Sequence, residues 1–254
     1  MSNLIQQDEE SVFIGRRISL AFSEKTRFTQ RGTDERTTME KAKPLPQYMA
    51  QRYHGWRATT YDENKFWYHR LEEEGQRPRA MVISCCDSRV NASAIFGADA
   101  GELFIHRNIA NLVPPFNPDG DHHGTSAAVE YAVTQLKVAH LLVIGHSSCG
   151  GVRGCMDMCE GHAPELEKKT SFLGRWLDIL APGYSHVKGI NDPDERARAL
   201  EKQGIIIALE NLMTFPYVKA AVDEGRLSVH GVWAEIGNGR LHSYVPAENS
   251  FVAV

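Results

Sequence analysis

The sequence predicts an α/β fold: a mainly parallel central sheet with an antiparallel edge, flanked by helices. Three observations carry this. Short apolar runs recur at residues 80–84, 103–106 and 139–144, each bounded by turn residues, and runs of that kind are strands buried on both faces. Helical-period segments alternate with them, which is the pattern of a parallel sheet. Residues 226–235 and 239–245 then flank Gly237-Asn238-Gly239, a hairpin turn that supplies the antiparallel edge.

Taken in order, residues 1–43 are polar and charged without sustained periodicity and read as a mobile or poorly structured extension. Arginines between 26 and 38 suggest an organellar leader, but the acidic residues among them argue against one. Met39 is an alternative natural start. Residues 44–254 read as one domain. Over 45–74 two apolar faces, Tyr48, Met49, Tyr53, Trp56 and then Phe66, Trp67, Tyr68, Leu71, indicate helices with a break at 58–62, ended by Gly75 and Pro78. The first strand follows, then a short helix at 91–96 and the second strand. A loop runs from Arg107 to Pro115, and Asn117-Pro118-Asp119-Gly120 continues it as a turn. Thr125 or Ser126 caps a helix that is apolar nearly all round (Ala128, Val129, Tyr131, Ala132, Val133, Leu136) and therefore buried. Helices are expected at 152–159, 172–180, 194–214 and 216–224.

With 254 residues and a formal net charge of −4, the chain can bury a substantial core and gives no reason to expect nucleic acid or an anionic membrane as partner. No apolar run is long enough to span a bilayer. Five cysteines without a secretory signal fit reduced thiols in a cytoplasmic protein, where such thiols are more often metal ligands than disulfide partners.

The chemistry concentrates at two strand ends. Cys85-Cys86-Asp87-Ser88-Arg89 follows the first strand, and His146-Ser147-Ser148-Cys149 follows the third. Open α/β sheets place their sites at such ends. Two thiolates and one imidazole from Cys85, His146 and Cys149 suit zinc, and three protein ligands leave a fourth position for solvent, as in a catalytic site. Arg89 is placed to fix the Asp87 carboxylate, which then orients a zinc-bound water. Gly150 and Gly151 let backbone approach the metal closely. A lone cysteine or a lone His-x-x-Cys is ordinarily structural; the conjunction at two strand ends is what points to metal.

With these residues in view the sequence resembles the β-class carbonic anhydrases, through Cys85-x-Asp87-Ser88-Arg89, Arg107-Asn108-Ile109-Ala110-Asn111 and His146-x-x-Cys149-Gly150-Gly151. The resemblance covers about residues 44–244. It implies reversible hydration of carbon dioxide to bicarbonate and a proton through a zinc-bound hydroxide, with one zinc per subunit on Cys85, His146 and Cys149 and a catalytic dyad of Asp87 and Arg89. Cys86 falls at a variable position and is expected not to ligate. The plant-like, open-site type places a Gln, a Phe and a Tyr in the substrate pocket, matched here by Gln76, Phe104 and Tyr131; Gly150 joins them. Val82 stands where the bicarbonate-regulated type has a Trp. The resemblance further implies a homodimer or dimer-of-dimers tetramer, with N-terminal helices extending onto the neighbouring subunit and the pocket at the dimer interface. Without it, Phe104 and Tyr131 read as core and Gln76 as solvated.

Two thiolates offset much of the zinc charge, so activity is expected to rise toward alkaline pH. His122 and His123 offer themselves as proton shuttles, though adjacent histidines in such a loop are more often simply solvated. Cys155 and Cys159, at helical spacing, read as ordinary thiols rather than a second metal or redox pair. Rival readings are a hydrolase of carbon disulfide or carbonyl sulfide on the same scaffold, or a non-catalytic zinc protein that binds a partner. A zinc deaminase needs His-x-Glu and Pro-Cys-x-x-Cys, which the sequence lacks.

Overall fold

Residues Ala80–Cys85 form strand β1, and all six are buried. An alternating pattern would leave one face to solvent; this run leaves none, so both faces of β1 are covered. The computed structural model describes residues 42–120 and 123–254. The expected extension lies outside the described residues up to residue 41, as does His122. The chain divides into two compact units at Ala58 and Thr59.

The described part of the first unit carries helix α1 (Gln47–Trp56), on which Tyr48, Met49, Tyr53 and Trp56 are exposed. The break expected at 58–62 is a π-helical stretch, Arg57–Tyr61: the backbone widens its turn instead of leaving the helix.

The second unit begins in that stretch and continues with α2 (Asp62–Glu74), β1 and the short α3 (Ala92–Phe96). Asn91 starts α3 by accepting the Ala94 N–H, and Gly97 ends it in the left-handed region at φ 58°. Then come β2 (Leu103–Asn108), α4 (His123–Glu130) with a π-helical turn at Tyr131–Gln135, β3 (His140–His146) and α5 (Gly150–Cys159). Helices α6 (Phe172–Leu177), α7 (Ala181–Val187), α8 (Pro193–Leu212) and α9 (Pro216–Asp223) lead to β4 (Ser228–Glu235), β5 (Arg240–Val245) and β6 (Ser250–Ala253). Sequence reading missed α7, where Pro182 and Gly183 mask the period, and β6, which is only four residues long.

The six described strands form one sheet in the order β2-β1-β3-β4-β5-β6. β2, β1, β3 and β4 are parallel, and β4-β5-β6 run antiparallel, the expected edge. One core lies between the sheet and α4, α8 and α9, around Met81, Ile83, Val143, Ile205, Leu212 and Phe215. A second gathers at the strand exits, where Cys85, Cys149, Val152, Leu177, Leu180 and Leu200 pack together. Asp192 starts α8 by accepting the Asp194 and Glu195 N–H groups, with Pro193 in its first turn. Among the described residues no single helix is long and apolar enough to cross a membrane.

Helix α8 lies close against β4 because Gly231 makes room for it. A Cβ there would stand 2.8 Å from Ile205 Cγ2 and 3.2 Å from Tyr244 Cβ. Gly231→Ala is therefore expected to lower unfolding stability by about 1–3 kcal/mol through overpacking. Urea denaturation checks this; an unshifted midpoint in Gly231→Ala would show that the contact yields freely.

Candidate metal centre

Cys85 ends β1 and His146 ends β3, and the two strands are parallel neighbours, so both residues leave the sheet at the same end. Beyond His146 the chain turns through Ser147 and Ser148, the latter left-handed at φ 56°, and sets Cys149 immediately before α5. Ser147 Oγ accepts the Ile236 N–H at 2.9 Å, which pins this turn to the exit of β4.

The three side chains converge. Their ligand atoms all lie within 4.8 Å of one another, and the two sulfurs are 3.9 Å apart. Tetrahedral zinc with Zn–S near 2.3 Å sets sulfurs about 3.8 Å apart. His146 is fully buried. Its Nδ1 donates to the Ser147 carbonyl at 3.0 Å, which leaves the lone pair on Nε2, and Nε2 has no hydrogen-bond partner. An unpaired buried nitrogen is costly unless something accepts its lone pair. A borderline-soft cation meets that need, and the donor set fits zinc.

Backbone N–H groups support the sulfurs: those of Asp87 and Ala110 serve Cys85, and those of Gly151 and Val152 serve Cys149. Ala110 does so from the left-handed region at φ 61°, followed by Asn111 at φ 50°. Asn108 holds this unusual pair in place. Its Nδ2 donates to the Leu112 carbonyl at 2.8 Å while its Oδ1 accepts the Leu112 N–H at 2.9 Å. Gly151 is required where α5 meets the same loop, because a Cβ there would stand 2.7 Å from Ile109 Cγ2. At Gly150 nothing lies within 4 Å of a Cβ position, so that side is open.

In the absence of a cation the paired thiols cannot both ionise. The hydrogen bond from Cys149 holds Cys85 well below the usual thiol range, and the same contact pushes Cys149 far above it. Burial pushes His146 down, but the Cys85 sulfur beside it, aided by the Ser147 carbonyl, outweighs it and the net shift is upward.

Arg89 grips Asp87 with Nε on Oδ1 at 2.9 Å and Nη2 on Oδ2 at 2.6 Å, and its backbone N–H also reaches Oδ1 at 2.9 Å. Nη2 further donates to the Ser148 carbonyl at 3.0 Å, which ties the first ligand loop to the second. These contacts with Arg89 hold the Asp87 carboxyl well below the usual carboxylate range. Asp87 Oδ2 lies 4.0 Å from His146 Nε2.

Two contributors were given no role of their own in the sequence reading. Glu201 on α8 is buried, and its two oxygens accept from Cys149 N–H and Trp233 Nε1–H, each at 3.1 Å. Burial raises its pKa. The available signal was an acid on the apolar face formed by Ala197, Gly204, Ile205 and Ala208. Arg107 is the other, and its contacts are described below.

The structure keeps the remaining expected residues apart from the triplet. Phe104 pairs with Met81 and Asn108 with Cys85, so Phe104 sits four ladder positions, roughly 13 Å, from the metal end. Tyr131 stays with Phe104, their ring centroids 5.8 Å apart. Gln76 is exposed in the link before β1, at that same far end. Cys86 is exposed and outside the triplet. Cys155 is buried with its thiol toward the Leu177 carbonyl, Cys159 is exposed, and His123 is exposed at the start of α4.

The carbonic anhydrase family model matches residues 80–241. This chain belongs to the β-class carbonic anhydrases. It is 36% identical over 186 residues to beta carbonic anhydrase 3 of Arabidopsis thaliana, covering 72% of this chain and 70% of that one. Among solved structures it is similar to the β-carbonic anhydrase CcaA, with a TM-score of 0.71 and 27% identity over 82% of this chain and 91% of the other. It is also similar to a pair of tetrameric β-carbonic anhydrases from Sordaria macrospora, with a TM-score of 0.66 and 32% identity over 77% of this chain and 94% of the other. The protein is thus a carbonic anhydrase with zinc as its cofactor.

Thiols bind zinc deprotonated, and the contact with Cys85 favours the protonated form of Cys149, so zinc uptake at this triplet is expected to displace a proton. The apo protein is expected to release at least one proton per zinc, and its dissociation constant to rise about tenfold per proton for each unit of acidification. Calorimetry in buffers of different ionisation enthalpy measures this, and uptake without proton release would show that both thiols are already ionised.

Proposed function

We propose that Cys85, His146 and Cys149 hold the zinc and that Asp87 and Arg89 orient the reaction that hydrates carbon dioxide to bicarbonate and a proton. We also propose that a second copy of the chain lends Gln76, Phe104 and Tyr131 to the pocket. One observation carries the reading. The Asp87 carboxylate, held on both oxygens by Arg89, stands 4.0 Å from the unpaired His146 Nε2.

When bound, zinc supplies the Lewis acidity that makes water a nucleophile near neutral pH. An ionised carboxylate can only accept hydrogen bonds. Asp87 therefore takes the O–H of the attacking water and turns the oxygen lone pair toward the substrate carbon. Arg89 keeps Asp87 ionised and stops it from swinging away. Gly150, at the start of α5, leaves side-chain-free space beside Cys149 for a small linear gas. Gln76 donates to a substrate oxygen as charge develops on it, and Phe104 and Tyr131 form an apolar wall. His123 and the residue before it remain candidates for passing the proton to buffer.

The case for a second copy rests on the ladder. Phe104 and Tyr131 lie too far from the triplet of their own chain, while β2, which carries Phe104, is an edge strand with Ile105 exposed. The Sordaria macrospora relatives are described as tetrameric, which supports a homodimer or a dimer of dimers. The exposed aromatics of α1 give it a face to lay on the neighbour. Five free cysteines fit a reducing, cytoplasmic setting.

Asp87→Asn is expected to keep its zinc and to lose roughly 10–100-fold in kcat/KM for carbon dioxide hydration by stopped flow. Full activity in that variant would remove the dyad from the mechanism. Chelator-stripped protein should be inactive and recover with added zinc. For the shared pocket, Gln76→Ala chains and Cys149→Ser chains, each defective alone, are mixed one to one. Random exchange in a two-fold dimer should restore about a quarter of wild-type activity, because half the dimers then carry one complete site. No recovery after confirmed exchange would place the pocket within a single chain.

A further inference from the structure

The mechanism above uses no residue of the stretch Arg107-Asn108-Ile109-Ala110-Asn111 as a reacting group, yet this stretch surrounds the first ligand. Arg107, on the edge strand β2, makes three hydrogen bonds, all to backbone carbonyls of the segment leaving β1. Nε donates to Cys85 O at 2.9 Å, and Nη2 donates to Asp87 O at 2.7 Å and to Val90 O at 2.9 Å. The first of these carbonyls belongs to a zinc ligand and the second to the orienting carboxylate. The third belongs to the residue where the loop returns to the core, since Val90 is buried. The rest of the loop is held by Arg89, through Asp87 and the Ser148 carbonyl, and by two backbone contacts. Cys86 N–H donates to Asn108 O at 2.9 Å and Val90 N–H to Asp87 O at 3.0 Å, while Cys86, Ser88 and Arg89 are exposed. Three carbonyl dipoles pointing at one spot repel each other unless a cation sits there. A planar guanidinium presents donors at fixed angles to more than one of them at once, which an ammonium does not.

We infer that Arg107 is a positioning residue for the hydration reaction: by holding the carbonyls of Cys85, Asp87 and Val90 it keeps the 85–90 loop in the one shape that turns the Asp87 carboxylate toward the metal site. This rests on the reading of Asp87 as the orienting group. Arg89 grips the Asp87 side chain; Arg107 fixes the backbone from which that side chain springs. Neither does the other's task.

The test is made on the zinc-loaded protein with Arg107→Gln, Arg107→Lys, Asp87→Asn and the Arg107→Gln/Asp87→Asn double variant. The first readout is amide exchange. In Arg107→Gln the 86–90 amides should exchange at least tenfold faster while those of β3 keep the wild-type rate. Equal acceleration in both segments would mean general destabilisation and overturn the proposal. The second readout is the kcat/KM cycle. Arg107→Gln should lose tenfold or more in the wild-type background and less than threefold when Asp87 is already Asn, with zinc content near one per chain throughout. Arg107→Lys should recover only part of the loss. The same loss in both backgrounds, or loss of zinc, would show that Arg107 does not act through Asp87. Should Arg107→Gln fail to fold, Arg107→Lys carries both readouts. A fully active Asp87→Asn would sink the dyad reading itself, a result distinct from an impaired Asp87→Asn with additive Arg107.

Discussion

The parallel pairing of β1 with β3 is the constraint from which the metal centre follows. Register sets Ser84 beside Ile144, so Cys85 and His146 emerge at one edge within two residues of the same level. A single turn then returns Cys149 to them. None of the three clustered residues is selected by its local sequence. What selects them is that two strands distant in the chain hydrogen-bond side by side, each packed on both faces and so unable to slip register without exposing its apolar side chains. The core that buries β1 and β3 is thus also what presents two sulfurs and an imidazole at metal distance.

This explains which parts of the molecule could be read from the residues. β1, β3 and the hairpin of β4 and β5 were legible because uninterrupted apolar runs and a Gly-Asn-Gly turn leave few alternatives. The triplet Cys85, His146 and Cys149 was legible because its residue types are chemically unusual at strand ends, and the contact between Arg89 and Asp87 because the two are only two residues apart. The short β6 and the Pro-Gly-containing α7 carry too little period to be seen. The helix break expected at 58–62 is a π-helical widening, which leaves no distinct signature in side-chain pattern.

The supporting groups were illegible for a different reason. Glu201 and Arg107 act through contacts to backbone, 52 residues from Cys149 and 22 from Cys85 respectively. Backbone carbonyls and amides have no identity in a sequence, so nothing in the chain advertises their partners. The same holds for the Ala110 N–H that serves the Cys85 sulfur: it depends on a left-handed backbone at a residue type that seldom adopts it, stabilised by the Asn108 bridge to Leu112. For Glu201 the clue was an acid on an otherwise apolar helix face. It points to a buried hydrogen-bonding duty without naming the partner.

The ladder that gathers the ligands also separates them from Phe104 and Tyr131. Strand geometry is stiff, and no rotamer of either ring crosses the roughly 13 Å between Phe104 and the metal end. Two consequences follow for the function proposed. In an isolated chain the triplet stands without the aromatic pair, although an uncharged, weakly hydrated substrate gains most from apolar walls beside it. That pair, with Tyr131 exposed, stands at the other end without a reactive centre to serve. A two-fold axis near the edge strand β2 resolves both, because it carries the aromatic end of one sheet toward the metal end of the other. Assembly in this reading is a condition of catalysis, imposed by the register of β1 with β2.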